Sequence, residues 1–503
     1  MHARPIGQTG HDRNRYQNLI MSHSPKRPVL ENAASTPCTL NRRQFLRTAS
    51  AGLALSAITI VPRHVLGGTG QTAPSERVTV AGIGMGGQGT ENMLALQKLP
   101  EVQVVAVCDV NREGGGYQSW YWSQGNERRV SGREPTRRLM DELYAKQNRS
   151  GQYRGCKAYN DYRELLEKED VDAVMVATPD HTHAVITMAA LKRGKHVYCE
   201  KPLTYSVFEA RQVAEAARKA KVATQCGNQG QAENAARVTC EIIADGAIGP
   251  VREVQVWNGP RFWEWPTWDG RPTDTPEIPE GLDWDLWLGP APHRPYHPAY
   301  HPWTWRNWRD FGTGLLGDLG LHKLSTVFKA LNLGHPLTVE ASATKLSQET
   351  FPLGEIVRYE FPARGDKPPV TLTWYDGGLK PFRPLEFDDD DVLQDVIYIG
   401  DQGKLMSNRL IPESRMERYK LPAPTLPRST GHYQEWIDAC RGGAPAGSNF
   451  VDHAALVTEV VLLGNIAARL QKKLKWDGAN LRFTNSEPAN QMLHRKYREG
   501  WRL

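Results

Sequence analysis

Six residues, Gly84-Met85-Gly86-Gly87-Gln88-Gly89, follow directly on a short apolar run at 78–83 and constrain the chain more than any other feature. Gly84, Gly86 and Gly89 fill the three positions of G-x-G-x-x-G. The first glycine permits a tight turn, the second lets the backbone approach a pyrophosphate, and the third lets a helix pack closely on a sheet. Residues 90–98 have helical spacing, so their leading amides point toward such a phosphate. A second apolar run at 102–108 ends in Asp109, twenty residues beyond Gly89. An acidic side chain there accepts the adenosine ribose hydroxyls and repels a 2′-phosphate, which favours NAD over NADP. Arg112 nearby leaves NADP possible. The plain alternative for Asp109 is a strand-end carboxylate capping a turn.

The α/β punctuation continues downstream. A Gly-, Arg- and Trp-rich stretch at 114–153 has no clean period and reads as an insertion or a helix-loop excursion. A buried strand at 173–177 ends in Thr178-Pro179-Asp180-His181-Thr182-His183, and a strand at 196–199 ends in Glu200-Lys201-Pro202. Ligands of open parallel sheets bind beyond the carboxyl ends of the strands, where all three motifs lie. The seven cysteines form no CxxC pair and no Cys/His cluster at metal spacing, so neither a disulfide framework nor a metal site is expected.

The first seventy residues differ in kind. Asn41-Arg42-Arg43-Gln44-Phe45-Leu46-Arg47 precedes a soft apolar run at 49–61, too short for a comfortable stop-transfer helix. Adjacent arginines followed by Phe-Leu and an uncharged stretch form the twin-arginine pattern. It implies the twin-arginine export machinery as a partner. The expected location is the periplasm, or the outer side of the inner membrane if the segment stays as an anchor. Met1 and Met21 are both plausible starts. Much of the net charge of +6 sits in this leader, leaving the rest roughly neutral. No nucleic-acid footprint is therefore expected, since that needs basic residues clustered on the folded part.

Beyond residue 229 the pattern changes to longer strands that alternate apolar and polar residues, as in an antiparallel sheet with one covered face. Nine of the fifteen tryptophans fall at 257, 263, 265, 268, 284, 287, 303, 305 and 308. Such rings stack on sugar faces, pack loops down, or bury a subunit interface. A glycine-rich loop at 312–317 then leads into Asp318 and His322, four apart at helical spacing. The pair shares one helix face, where the carboxylate can raise the imidazole pKa and fix its tautomer, as suits a general base. By spacing alone, a capping Asp with a surface His is the default reading.

The glycine motif, the loop from Thr178 to His183, Glu200-Lys201-Pro202, the Asp318/His322 pair and Leu282-Asp283-Trp284-Asp285-Leu286-Trp287-Leu288-Gly289-Pro290 together resemble the Gfo/Idh/MocA oxidoreductase family, in its exported, twin-arginine branch. The resemblance runs over nearly the whole chain after residue 75. It implies an α/β chain: an N-terminal Rossmann doubly wound parallel sheet, then an α+β domain with an open, mostly antiparallel sheet. The corresponding boundaries are a leader at 1–70, a Rossmann domain at 75–229, a substrate domain at 230–460 and a C-terminal extension at 461–503 packing on the domains. It further implies Lys201, Asp318 and His322 as catalytic residues. Gly84, Met85, Gly86, Gly87, Gln88, Gly89, Asp109, Arg112, Thr178, Pro179, His183, Glu200 and Lys201 are implied around the cofactor, with His183 near its reactive ring. One departure is visible: where relatives often carry another acidic residue one turn after the histidine, this chain has Ser325 and Thr326.

The implied activity is NAD(P)-dependent hydride transfer to or from a sugar, polyol or glycoside. The alternatives are a redox-assisted glycosidase or epimerase working through a keto-sugar on tightly bound NAD, and a non-catalytic sugar-binding protein. A homo-oligomer is expected.

Overall fold

The computed structural model describes residues 76–118, 128–148, 150–259, 265–387 and 392–503. The expected export signal and Trp263 lie outside the described residues.

The N-terminal domain begins with β1 (Val78–Ile83), the glycine loop and α1 (Gly87–Gln97), then β2 (Val102–Cys108). The stretch expected as an insertion is an antiparallel hairpin, β3 (Gly114–Gln118) with β4 (Arg128–Ser131), followed by α2 (Arg133–Gln147). The series continues through β5 (Lys157–Tyr159), α3 (Tyr162–Lys168), β6 (Ala173–Val176), α4 (Asp180–Leu191), β7 (His196–Cys199), α5 (Val207–Ala220) and β8 (Thr224–Cys226). The six-stranded sheet runs β5-β2-β1-β6-β7-β8, every pair parallel. Its order reverses between β1 and β6, the crevice where such sheets bind dinucleotides. All four β6 residues, Ala-Val-Met-Val, are buried, as a strand covered by helices on both faces requires. Local signals match the elements: Ser206 and Glu209 close a reciprocal capping box at the start of α5.

The C-terminal domain adds α6 (Asn234–Ala244), β9 (Val251–Trp257), the short α7 (Trp284–Leu288) and α8 (Gly314–Leu331). Six strands follow: β10 (Thr338–Ala343), β11 (Glu355–Phe361), β12 (Val370–Tyr375), β13 (Val396–Gly400), β14 (Gly403–Met406) and β15 (Arg409–Ile411). Then come α9 (His432–Cys440), α10 (Ala455–Leu470), β16 (Leu474–Asp477) and β17 (Arg482–Phe483). The nine strands order as β15-β14-β13-β9-β12-β11-β10-β16-β17. Only the β9–β12 pair is parallel, so the sheet is mostly antiparallel. Helix α10 runs straight through residue 460 and β16 pairs with β10. A boundary at 460 therefore cuts a helix, and residues 461–503 are woven into the sheet rather than appended to it.

Helices α8 and α10 cross on one face of this sheet at close range. A Cβ at Gly320 would meet Val461, and one at Gly464 would meet Tyr359 and Leu316. Leu316, Leu324, Val327, Val457, Val460 and Val461 share one core with Val174, Val176 and Val197 of the parallel sheet. That shared core holds α8 in register with the ends of β6 and β7.

Candidate active site

One cavity of about 390 Å³ runs from the glycine loop to the first turns of α8. Gly84, at φ +89°, turns the chain where a Cβ would lie 2.6 Å from the Thr178 backbone nitrogen. A Cβ on Gly89 would sit 1.8 Å from the Gly84 carbonyl oxygen, so only glycine allows α1 to pack there. Gly86 carries no side-chain cap, and Gly84, Gly86, Gly87 and Gln88 all line the cavity. The first amides of α1 are thus left for an anion, which fits a pyrophosphate. Asp109 lines the same wall and accepts the Asn111 amide at 2.7 Å. Burial pushes its carboxyl up to about 6, against the backbone amides that hold it down. Thr178, Pro179 and Glu200 line the cavity at the ends of β6 and β7.

Three expected cofactor residues are placed elsewhere. Met85 turns its side chain into the core between β1 and α1. Arg112 extends outward to Glu280 at 3.1 Å, so its guanidinium does not reach the adenosine end of the cavity. His183 is fully enclosed: Nδ1 lies 2.7 Å from the Pro202 carbonyl and Nε2 2.8 Å from the Thr178 carbonyl. It ties the two motif loops together from behind rather than facing the reacting end. Burial lowers its pKa, although the Pro202 and Thr178 carbonyls at its two nitrogens oppose the shift.

Lys201, more than a hundred positions before Asp318 and His322, lines the reacting end together with them. Lys201 Nζ donates to Asp318 Oδ1 at 2.8 Å, and Arg306 Nε lies 3.4 Å from the same oxygen. Burial alone would raise the Asp318 carboxyl, but the two cations more than offset it and hold it below the ordinary carboxylate range. Among the described residues no hydrogen bond joins Asp318 to His322. The expected pairing is therefore corrected: the carboxylate orients Lys201, and the imidazole is not raised. Burial, reinforced by the Lys201 charge, pulls His322 down to about 3 and leaves it neutral near pH 7.

Sequence reasoning missed three contributors. Arg306 lies between two tryptophans, its guanidinium carbon 4.1 Å from the Trp303 ring centroid and 4.3 Å from that of Trp305. The signal was local: W-T-W-R before a glycine-rich loop, where a Cβ on Gly312 would lie 2.2 Å from the Arg306 carbonyl oxygen. Asp180, at the start of α4, accepts Thr313 Oγ1 at 2.5 Å and so couples the cofactor domain to the start of α8. Burial pushes it up to about 7, although Thr313 opposes the shift. Trp501 arrives from the far C-terminus to line the cavity near Asp161 and Tyr162, with the Arg163 guanidinium 5.1 Å from its ring.

Most of the other tryptophans pack loops. Trp284, Trp287, Trp305 and Trp308 join Tyr296, Tyr300 and Phe311 in one buried cluster, and Trp284 stacks on Trp287 at 4.5 Å. Among the described residues, only Trp287, Trp303, Trp305 and Trp501 reach the cavity.

A parallel-sheet crevice with uncapped helix amides, opening onto a lysine, a carboxylate and a neutral imidazole, defines a two-domain dinucleotide-binding protein of the oxidoreductase class. Residues 77–228 match the family described as "Oxidoreductase family, NAD-binding Rossmann fold", and residues 234–503 match "Oxidoreductase family, C-terminal alpha/beta domain". The chain belongs to the Gfo/Idh/MocA oxidoreductase family, and its N-terminal domain is the NAD-binding one.

It is 39% identical over 106 residues to the 1,5-anhydro-D-fructose reductase of Ensifer adhaerens, covering 21% of this chain and 30% of that protein. It is 31% identical over 171 residues to the inositol 2-dehydrogenase of Salmonella typhimurium, covering 34% and 42%. A glycosyl hydrolase family 109 protein of Shewanella pealeana is 28% identical over 197 residues, covering 36% and 37%. The chain thus spans less than half the length of these curated relatives. An NAD-binding protein from Listeria innocua superposes with a TM-score of 0.51 at 16% identity, covering 79% of this chain and 97% of that one, which shows the shared fold.

Proposed function

We propose that the protein is an exported, NAD-dependent oxidoreductase acting on a hydroxyl- or ketone-bearing carbon of a sugar, polyol or glycoside. The observation that carries this reading is the convergence of Lys201, Asp318 and His322 on the cavity that also runs along the glycine loop. NAD, when bound, accepts or returns the hydride. In the oxidative direction neutral His322 removes the hydroxyl proton, and Lys201 donates a hydrogen bond to the same oxygen as negative charge develops on it. Asp318 keeps the ammonium aimed through the 2.8 Å contact. The names of the anhydrofructose and inositol relatives support a carbohydrate-like substrate.

Two features favour a second reading, a redox-assisted glycosidase or epimerase whose cofactor stays bound. One relative carries a glycosyl hydrolase name. The other is Asp180, a cavity-lining carboxyl near neutral pKa, which adds a second proton acceptor for a C–H acidified by a neighbouring keto group. Denaturing the purified protein and assaying the released nucleotide separates the two. Near-stoichiometric NAD with no demand for added NAD supports the closed cycle; an empty protein that turns over only with added NAD supports the dehydrogenase.

Export rests on Arg42 and Arg43 followed by the soft apolar run. Replacing both with lysine should block passage of a fused reporter through the twin-arginine route. The exposed Phe382 and Leu385 support self-association, to be measured by light scattering.

A further inference from the structure

The charges at the reacting end do not balance. Lys201 and Arg306 bring two cations and Asp318 one carboxylate, all lining the same cavity. The other nearby carboxyls do not close the gap. Glu200 is buried, makes no ion pair with Lys201 or Arg306 among the described residues, and accepts hydrogen bonds from Asn92 and Gln229 instead. Asp180 is raised by burial and holds the Thr313 hydroxyl. Asp109 and Asp161 line the cavity beside Tyr162 and Trp501, at its adenosine end.

Arg306 is also only partly used. Nε faces Asp318 at 3.4 Å, and Nη1 donates to the Trp303 carbonyl at 3.2 Å. Its Nη2 has no hydrogen-bond partner among the described residues. The guanidinium carbon lies over both indole rings, at 4.1 and 4.3 Å from their centroids, and the donors of a planar guanidinium lie at its edge. A cation in an enclosed site without a counter-charge costs stability unless a ligand supplies the partner. A planar guanidinium with a free edge, held rigid, fits a carboxylate better than a neutral hydroxyl.

We propose that the substrate is an acidic sugar, a uronate or a glycoside bearing one, whose carboxylate docks on the free edge of Arg306 between Trp303 and Trp305. This rests on the carbohydrate reading above and narrows it. Arg306 is then a substrate-binding and specificity-determining residue, while Lys201 remains the group facing the reacting oxygen.

The test is calorimetric titration of the NADH-loaded protein with a panel of hexoses, each paired with its uronate. The uronate of a recognised pair should bind at least tenfold more tightly than the hexose. Arg306→Gln should bring the ratio of uronate to hexose affinity within the pair down to near unity, whatever its effect on the two affinities separately, and Arg306→Lys should restore part of that ratio. Equal binding of acid and neutral partners, or a gap that survives in Arg306→Gln, overturns this inference and leaves the carbohydrate reading standing. No binding by any member of the panel, with NADH still bound, overturns both.

Discussion

The two walls of the cavity are built from different materials. The cofactor wall is largely backbone: a glycine at φ +89°, a second glycine that leaves helix amides uncapped, and a third that admits a carbonyl where a methyl cannot go. The substrate wall is largely side chains: Lys201, Arg306, Asp318 and His322 framed by Trp303 and Trp305. A backbone wall recognises what every NAD molecule presents, so its requirements are local and appear in sequence as spacing. A side-chain wall recognises one substrate class, and its residues meet only when two domains share a core.

This contrast orders the expected outcomes by size. Lys201→Met should lower turnover by roughly 10²–10⁴-fold, the range for losing an aligned donor or proton-handling group. NADH affinity, read by fluorescence titration, should stay within a few-fold; near-normal turnover would remove Lys201 from the mechanism. Gly86→Val is the converse break. Its side chain would crowd the Tyr117 ring, 3.1 Å from a Cβ, and the phosphate approach, so NADH affinity should fall by about tenfold or more with the fold retained by circular dichroism. Trp501→Ala sharpens the comparison, because it removes the one aromatic side chain that the C-terminus lends to the cofactor wall. If Trp501 covers the adenine, stacking of roughly 1–3 kcal/mol is lost and NADH dissociates correspondingly faster in stopped-flow displacement. An unchanged off-rate would confine Trp501 to packing.

The smallest effect is on stability. Asp180 sits near 7 in the folded protein against an ordinary value of 3.8, so the folded state binds more protons than the unfolded state between those limits. Stability therefore falls as pH rises from about 4 to about 7. Asp180→Asn can still accept the Thr313 hydroxyl but has no charge to bury. Its melting temperature should exceed that of the parent at pH 8 by a few degrees, with the difference gone at pH 4. A gap independent of pH would show that the carboxyl does not titrate in that window.

Some readings survived folding and some did not, and the division follows the same line. Gly84, Gly86, Gly89 and Asp109 stand where spacing put them, because turn, helix start and strand end lie within about thirty residues of one another. Lys201 and His322 also reach the cavity. Their link, however, is not the i,i+4 pairing on α8. Asp318 turns to a lysine 117 positions earlier and to an arginine in the tryptophan loop. His183 shows the opposite error: its loop was read correctly, but the direction of one side chain depends on the Pro202 and Thr178 carbonyls behind it. Arg112 likewise has the right neighbourhood and the wrong direction, drawn off by Glu280.

By itself the sequence determined the parallel sheet with its phosphate-binding turn, the alternating strands of the second domain, and the residue types available for acid-base chemistry. These are short-range matters, decided by φ/ψ limits, hydrophobic period and helix ends. Tertiary structure alone decided which cation meets Asp318, that His322 stays neutral, and that Arg306 keeps a free edge. Those properties are electrostatic, and they depend on distance and burial among groups as far apart in the chain as Lys201 and Asp318, 117 positions, which meet only once α8 packs against the ends of the parallel sheet.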